Sequence, residues 1–268
     1  MTKYGRMIFI LFLLIRGLHA APAWQSELTS STPGSFLKPN PMVLDLQVSW
    51  NGMINAGTVR VEFAPADAKK PGYYIVRSFA ASHGAAAVLF PYQTHFWSEV
   101  NPLTLRPHYF HAVETDKKET VVTTVDHDPG RVVSQQAAKR LKTGNVTLTN
   151  QTFTFEPVFD IFSSMLFVRS QKLDDGDKIT LAMHPLDTPY ILRVKVQGRE
   201  VHNGRNAIRL TVGMRKIDSK TLELRPYKKL KQDATLWLSD DADRIPIELR
   251  AAVFIGDVRA TLVSLNKP

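Results

Sequence analysis

Hydrophobic and polar residues alternate along most of this chain. VLDLQVSW (43–50) and TVRVEF (58–63) place an apolar side chain at nearly every second position, with NGMINAG between them as a turn. That pattern predicts a hairpin buried on one face. YYIVRSFA (73–80) reads as a third strand, and LTLRPHYFHAVETD and ETVVTTVDHD as two more around a DKK turn. Later runs repeat the pattern: DKITLAMH, TPYILRVKVQGREV, NAIRLTVGMRKI, LELRPY, ATLWLS with IPIELRA, and AVFIGDVRATLVSL. DDGD, QGRE, HNGRN, DDADR and IGD supply turn chemistry between alternating runs. The sum is about ten to twelve strands, mostly joined by short turns and hence antiparallel.

Two segments depart from period two. FEPVFDIFSSMLFVRSQKL (155–173) predicts a helix, with Pro157 suited to its start. On its wheel, Asp160, Ser163, Ser164, Phe167 and Gln171 fall on one side. Val158, Ile161, Phe162, Met165, Leu166 and Val168 fall on the other. Residues 81–100 combine an Ala-rich run, Pro91 and aromatics, and predict one or two short helices covering the sheet. VVSQQAAKRLKTGN is helical by propensity and reads partly as a loop. The expected architecture is mostly β (α+β): a long curled antiparallel sheet or half-open barrel with one or two helices on its concave face. No internal repeat of fixed period interrupts it.

The first residues change the picture of where the protein works. Lys3 and Arg6 precede an apolar stretch from Met7 to Ile15, and small residues follow at Ala20, Ala21 and Ala23. This predicts a secretory signal peptide over residues 1–23, cleaved after Ala20 or Ala23. The apolar run is shorter than the roughly 20 residues a membrane-spanning helix needs, and no later segment reaches that length. Residues 24–41, rich in Ser, Thr, Pro and Gly, read as a flexible linker, and residues 42–268 as a single curled-sheet domain. Export to the periplasm is the expected localisation.

The chain contains no Cys, which excludes disulfides, thiol nucleophiles and thiolate metal sites. The formal net charge of +9 falls to +6 once Lys3, Arg6 and Arg16 leave with residues 1–20. Basic residues are spread among strands, with one dense cluster at Lys228, Lys229 and Lys231. That is not the basic stripe with stacking aromatics of a nucleic-acid binder.

Candidate chemistry is sparse. Asp240, Asp241 and Asp243 sit beside Arg244, just after Trp237. They suit a hairpin tip, because Asp side chains bond turn backbone, and a calcium loop would need a Gly and a later Glu. Arg169 falls on the apolar side of the helix wheel. It is expected either to pair with Asp240, Asp241 or Asp243 and tie the helix to the final hairpin, or to reach out to solvent from the last turn. His108 and His111 point to opposite faces of a strand, and Asp126-His127-Asp128 is a tight cluster. Neither predicts a metal site, and His83 and His95 have no evident partner. No G-x-S-x-G, H-E-x-x-H or phosphate-binding loop is present, so no catalytic residue and no cofactor is assigned. Asn-x-Thr triplets begin at Asn145 and Asn150.

Aromatics are more suggestive. Phe79, Phe90, Phe96, Trp97 and Phe110, with Phe162, Met165 and Leu166 of the helix, either fill the core or line an apolar ligand cavity between sheet and helices.

INAGTVRVEF, LRPHYFHAVE, FDIFSSMLFVRSQKLDDGD and LWLSDDADRIPIELRAAVFIGDVRATL resemble the bacterial exported proteins catalogued as domain of unknown function 3108. The resemblance covers roughly residues 43–265, and the last two blocks are the more specific. It implies a periplasmic curled antiparallel sheet, with no established activity and no catalytic residues to carry over. The closing W-x-S-D-D…P block is more loosely similar to the terminal hairpin of periplasmic lipoprotein carriers, half barrels that shelter acyl chains. The leading expectation is an exported, non-enzymatic protein that binds a lipid, an acyl chain or another apolar ligand. Its rival is an envelope scaffold or protein-interaction domain with a filled core. A third class, an envelope hydrolase, requires Asp240, Asp241 or Asp243 within reach of a histidine.

Overall fold

The computed structural model describes residues 21–36, 40–64, 72–228, 230–253 and 256–267. The expected signal segment up to residue 20 lies outside them. The first half comprises β1 (Met42–Trp50), β2 (Ile54–Ala64), β3 (Tyr74–Ser82), α1 (Gly84–Leu89), β4 (Tyr92–Val100), β5 (Pro107–Asp116), β6 (Glu119–Asp128), β7 (Arg131–Arg140) and β8 (Val146–Phe153). Helix α2 (Ile161–Ser170) follows, then β9 (Lys178–Met183), β10 (Tyr190–His202), β11 (Arg205–Ile217), β12 (Leu224–Pro226), β13 (Ala234–Ser239), β14 (Pro246–Val253) and β15 (Gly256–Asn266).

All fifteen strands join one antiparallel sheet, ordered β8-β7-β6-β5-β4-β3-β2-β1-β15-β14-β13-β11-β10-β9, with β12 paired to β11. It is mostly β and not closed into a barrel. Two meanders, β1 to β8 and β9 to β15, meet where the first strand pairs with the last, Leu44 opposite Leu265. The chain passes from edge strand β8 to edge strand β9 through α2.

Alternation decides which faces are inside. On β1, Met42, Leu44 and Leu46 are buried; on β5 and β6, Phe110, Ala112, Thr123 and Val125 are. One apolar cluster joins these apolar residues, Thr123 aside, to Phe162 and Leu166 of α2. A second joins Phe167 and Val168 to Leu181, Val194, Ile208 and Leu238. The helix therefore lies between two walls of the curled sheet. Its predicted polar side is buried too: Ser163, Ser164 and Phe167 are enclosed, while Ile161 is the exposed residue at 41 %. A wheel assumes one wet face, and this helix has none.

α2 starts at Ile161, later than the 155–173 pattern predicts. Asp160 is its N-cap, and its side chain accepts from Ser163 N at 2.6 Å. Ser163 Oγ accepts in return from Asp160 N at 2.8 Å, completing a capping box. The preceding residues run beside β9, with Phe159 N donating to Ala182 O at 2.9 Å and His184 N donating to Phe159 O at 2.7 Å.

Other expectations are corrected. Of residues 81–100, Gly84–Leu89 alone is helical; it buries no residue, and Tyr92–Val100 is a strand. GAAAVL is too short to cover anything, and after Pro91 the sequence returns to period two. VVSQQAAKR is strand β7, because pairing with β6 and β8 overrides its propensity. QGRE is not a turn. Gly198, at φ +141°, is a bulge inside the continuous strand β10.

The described part of the 24–41 segment is docked, not loose. Trp24 is 3 % exposed, and its Nε1 donates to Leu222 O at 2.8 Å. Thr29 N donates to Thr180 O at 3.0 Å and Thr180 N to Thr29 Oγ1 at 2.9 Å, so the arm covers the outer edge of β9. Gly34 passes so close to α2 that a Cβ there would lie 2.1 Å from Ser170 O.

Candidate functional site

The aromatic set expected to line one cavity is divided among three places. Phe96, Phe110 and Phe162 pack on one another with ring centroids 5.7–6.4 Å apart. Phe110 and Leu166 are 1 % exposed and Phe162 6 %, with Met165 packed against the same cluster. Here the concavity is filled by side chains. Phe79 and Trp97 alternate to the opposite, convex face. Phe90 lies just after α1 and is 52 % exposed.

On the convex face a groove of about 380 Å³ runs across β2 to β5. Strand register builds it: Glu62 opposes Arg77, Arg77 opposes Trp97, and Trp97 opposes His111. The Arg77 guanidinium lies 4.4 Å over the Trp97 ring, and Phe79 and His95 are 4.8 Å apart. The Trp97 Nε1 donor is buried and lacks an acceptor. Arg60, at the rim, is held by Asp45 at 2.9 Å and Glu62 at 3.0 Å. The groove's aromatic faces suit an apolar partner surface.

A second groove, also about 380 Å³, opens where β14 and β15 meet the β10–β11 turn. Its floor holds Glu248, 4 % exposed. Glu248 Oε1 accepts from Arg250 Nη2 at 2.8 Å; Oε2 lies 3.2 Å from both His202 Nε2 and Asn203 Nδ2. Burial opposes ionisation of this carboxyl, but its donors Arg250, Asn203 and His202 outweigh that and hold it below the usual Glu range. His202 in turn stacks on Trp237, ring centroids 4.0 Å apart. All of Glu248's acceptor positions are in use, so the cluster locks the hairpin onto the sheet.

The acidic loop resolves as a turn. Asp241 Oδ1 accepts from Ser239 Oγ at 2.8 Å, Asp243 N at 2.9 Å and Arg244 N at 3.0 Å. Asp240 meets Arg199 at 3.2 Å, and Asp243 is paired with Lys267. The partners of the three carboxylates are thus turn backbone, Ser239, Arg199 and Lys267, not the histidine that the hydrolase reading requires. Arg169 is buried and does reach this loop, but through backbone: Nε donates to Arg244 O at 2.9 Å and Nη2 to Asp243 O at 2.8 Å. Desolvation lowers its pKa to about 10.

The histidines divide likewise. His83 bonds Thr58 Oγ1 at 2.9 Å, and His108 stacks on Tyr73 at 4.8 Å. His127 faces inward, both ring nitrogens buried without partners, and so is His184 Nδ1. Desolvation lowers them to about 3 and about 4. Among the described residues no group of three or more His, Asp or Glu is placed to hold a metal ion. No helix among them is long and apolar enough to cross a membrane.

Sequence reasoning missed Glu248, His202, His184 and Arg77. Glu248 and Arg77 occupy solvent-side positions of alternating strands, where a charge is unremarkable. Their burial comes from neighbouring strands and a folded-over hairpin.

Comparison with known proteins adds fold and family. A search of curated proteins finds no relative. A solved structure, a β-barrel-like protein of domain of unknown function DUF1849 from Brucella abortus, superposes with a TM-score of 0.56 at 11 % identity, covering 87 % of this chain and 99 % of that one. The curled sheet is therefore shared with a β-barrel-like protein. The sequence matches the family described as "Protein of unknown function (DUF3108)" over residues 45–263, and the chain belongs to that family.

Proposed function

We propose that this is an exported, non-enzymatic interaction protein of the cell envelope, with a filled core and its recognition surface on the convex face of the sheet. One observation carries the reading. The site where a half barrel would hold an acyl chain is occupied by the protein's own Phe96, Phe110 and Phe162 around α2. The aromatic groove formed by Arg77, Trp97, Phe79 and His95 offers the alternative surface, suited to an apolar or aromatic segment of a partner. The basic region at residues 3–6 and the apolar run after it support export.

The test is native mass spectrometry of the mature chain taken gently from its own envelope, with lipid extraction of any adduct. A bare mass, unchanged after incubation with envelope lipids, is expected. A photoreactive side chain in place of Phe79 should then cross-link a partner that the same probe at Leu103 does not. A stoichiometric lipid adduct would overturn the reading and return the concavity to consideration.

A further inference from the structure

The two ends of the sheet are treated differently. The β9 edge is covered by backbone of the same chain, at Thr29 on Thr180 and Phe159 on Ala182. The β8 edge pairs on one side with β7 and ends the sheet among the described residues. Natural sheets blunt such edges with charge, Pro or bulges. β8, VTLTNQTF, has neither charge nor Pro, and its register with β7 runs unbroken from Val146 to Phe153. Val146 is 56 % exposed and Leu148 74 %.

We propose that β8 is a self-association edge, pairing antiparallel with β8 of a second copy. Charge selects this occupant. Next to Val146 stand Lys139, its partner on β7, and the neighbouring Arg140 and Lys142, with Lys118 beside Leu141; Arg140 is paired to Glu119 at 3.2 Å, and the remaining charges there are basic. Toward the Phe153 end lie Asp126 and Asp128 on β6, two strands in, with Asp128 paired to Arg131 at 2.9 Å, and Glu156, which accepts from Gly130 N at 2.8 Å, so that acids outnumber bases there. Antiparallel self-pairing sets the basic end of each copy beside the acidic end of the other; parallel pairing would set like against like. A two-fold axis through Thr149, perpendicular to the sheet, keeps each face continuous and places the two Leu148 side chains on one face as diagonal neighbours. The proposal goes beyond the convex-face reading and does not depend on it.

The chain has no Cys, so one introduced thiol is a clean probe. Opposed residues of an antiparallel pair have Cα atoms about 4.5–5.5 Å apart, within disulfide reach. The mature protein should sediment as a dimer across a wide concentration range, and Leu148→Lys should shift it to monomer. Thr149→Cys, which the axis sets opposite itself, should oxidise to a covalent dimer, whereas Asn150→Cys, set diagonally, and Leu103→Cys, on an exposed loop, should not. A wild-type monomer at every concentration overturns the proposal. So does a dimer that Leu148→Lys leaves intact and Thr149→Cys does not cross-link.

Discussion

Arg169 and Arg244 each hold the backbone of the other's segment. Arg169, at the end of α2, donates to Arg244 O and Asp243 O at 2.9 and 2.8 Å. Arg244, in the β13–β14 turn, donates back to Lys172 O at 2.7 Å and to Gln171 O. Each guanidinium thus satisfies carbonyls that the other's segment leaves open, the α2 C-terminus on one side and a tight turn on the other. Arg169→Ala is expected to cost about 3 kcal/mol or more in a urea titration, since charged hydrogen bonds of about 1.5–3 kcal/mol each are lost. Arg169→Lys should recover little, because an ammonium cannot span two carbonyls with a planar fork. The double variant with Arg244→Ala should lose less than the sum, by about 1 kcal/mol or more.

Asp160 separates charge from hydrogen bonding. Its carboxyl is fully buried, caps α2 and accepts from Ser98 Oγ across to β4. Burial raises its pKa against the pull of the Ser98 and Ser163 hydrogen bonds. Asp160→Ala, which removes cap and cross-link together, is expected to cost about 2 kcal/mol or more. Asp160→Asn keeps an acceptor without a charge and should cost clearly less. Equal losses in the two variants would show that the charge, not the acceptor, is what the site uses.

These two residues also mark how far the sequence could be read. The strands around 43–63 and 178–253 were legible because one face is wet, so alternation survives in the residue types. α2 was legible as an element, but its faces were not, since a helix inside a curled sheet has no solvent side. That Arg169 reaches the DDADR loop follows from a buried cation needing acceptors. That the acceptors are carbonyls depends on a turn in which Arg244 itself takes φ +47°, and no residue pattern announces that. The convex groove was only half legible: Phe79 and Trp97 stood out as aromatics but were expected between sheet and helices, and Arg77 looks like an ordinary outward residue until adjacent strands stack it on Trp97.

Trp24 is the largest omission, and it yields a direct test. Its indole packs edge-on against Phe155 at 5.0 Å and bonds Leu222, 198 positions away in sequence. Composition marks the 24–41 segment as loose, and composition cannot see so remote a partner. Trp24→Ala is expected to destabilise by about 3–5 kcal/mol, as truncation of a buried aromatic does. Trp24→Phe should recover the packing but lose the hydrogen bond, about 1 kcal/mol. Calorimetric melting of the three proteins decides it: a melting temperature unchanged by Trp24→Ala would show that the arm is undocked in solution.

Acid should loosen the inner wall at the β6 end. His184 is 1 % exposed, and desolvation holds it at about 4; His127, its nitrogens sealed, sits at about 3. Asp187 favours the charged form of His184, while His184 and, less, His108 disfavour that of His127. Both native pKa values lie below the unfolded value of 6.5. Above that value neither state binds the protons, and stability is unaffected. As pH falls from 6.5 toward 4, the unfolded chain takes up protons that the native one refuses, so stability drops. A pKa displaced by one unit corresponds to about 1.4 kcal/mol, so the two histidines together should remove several kcal/mol across this window. Carboxylates such as Glu248, with lowered native pKa, act further down, below their unfolded range. The urea midpoint should therefore fall steeply between neutrality and pH about 5. His184→Asn, which cannot titrate, should flatten part of that slope even if it lowers the midpoint overall. A wild-type midpoint that stays level across the window would mean that these imidazoles are solvated and that the sheet opens at this end.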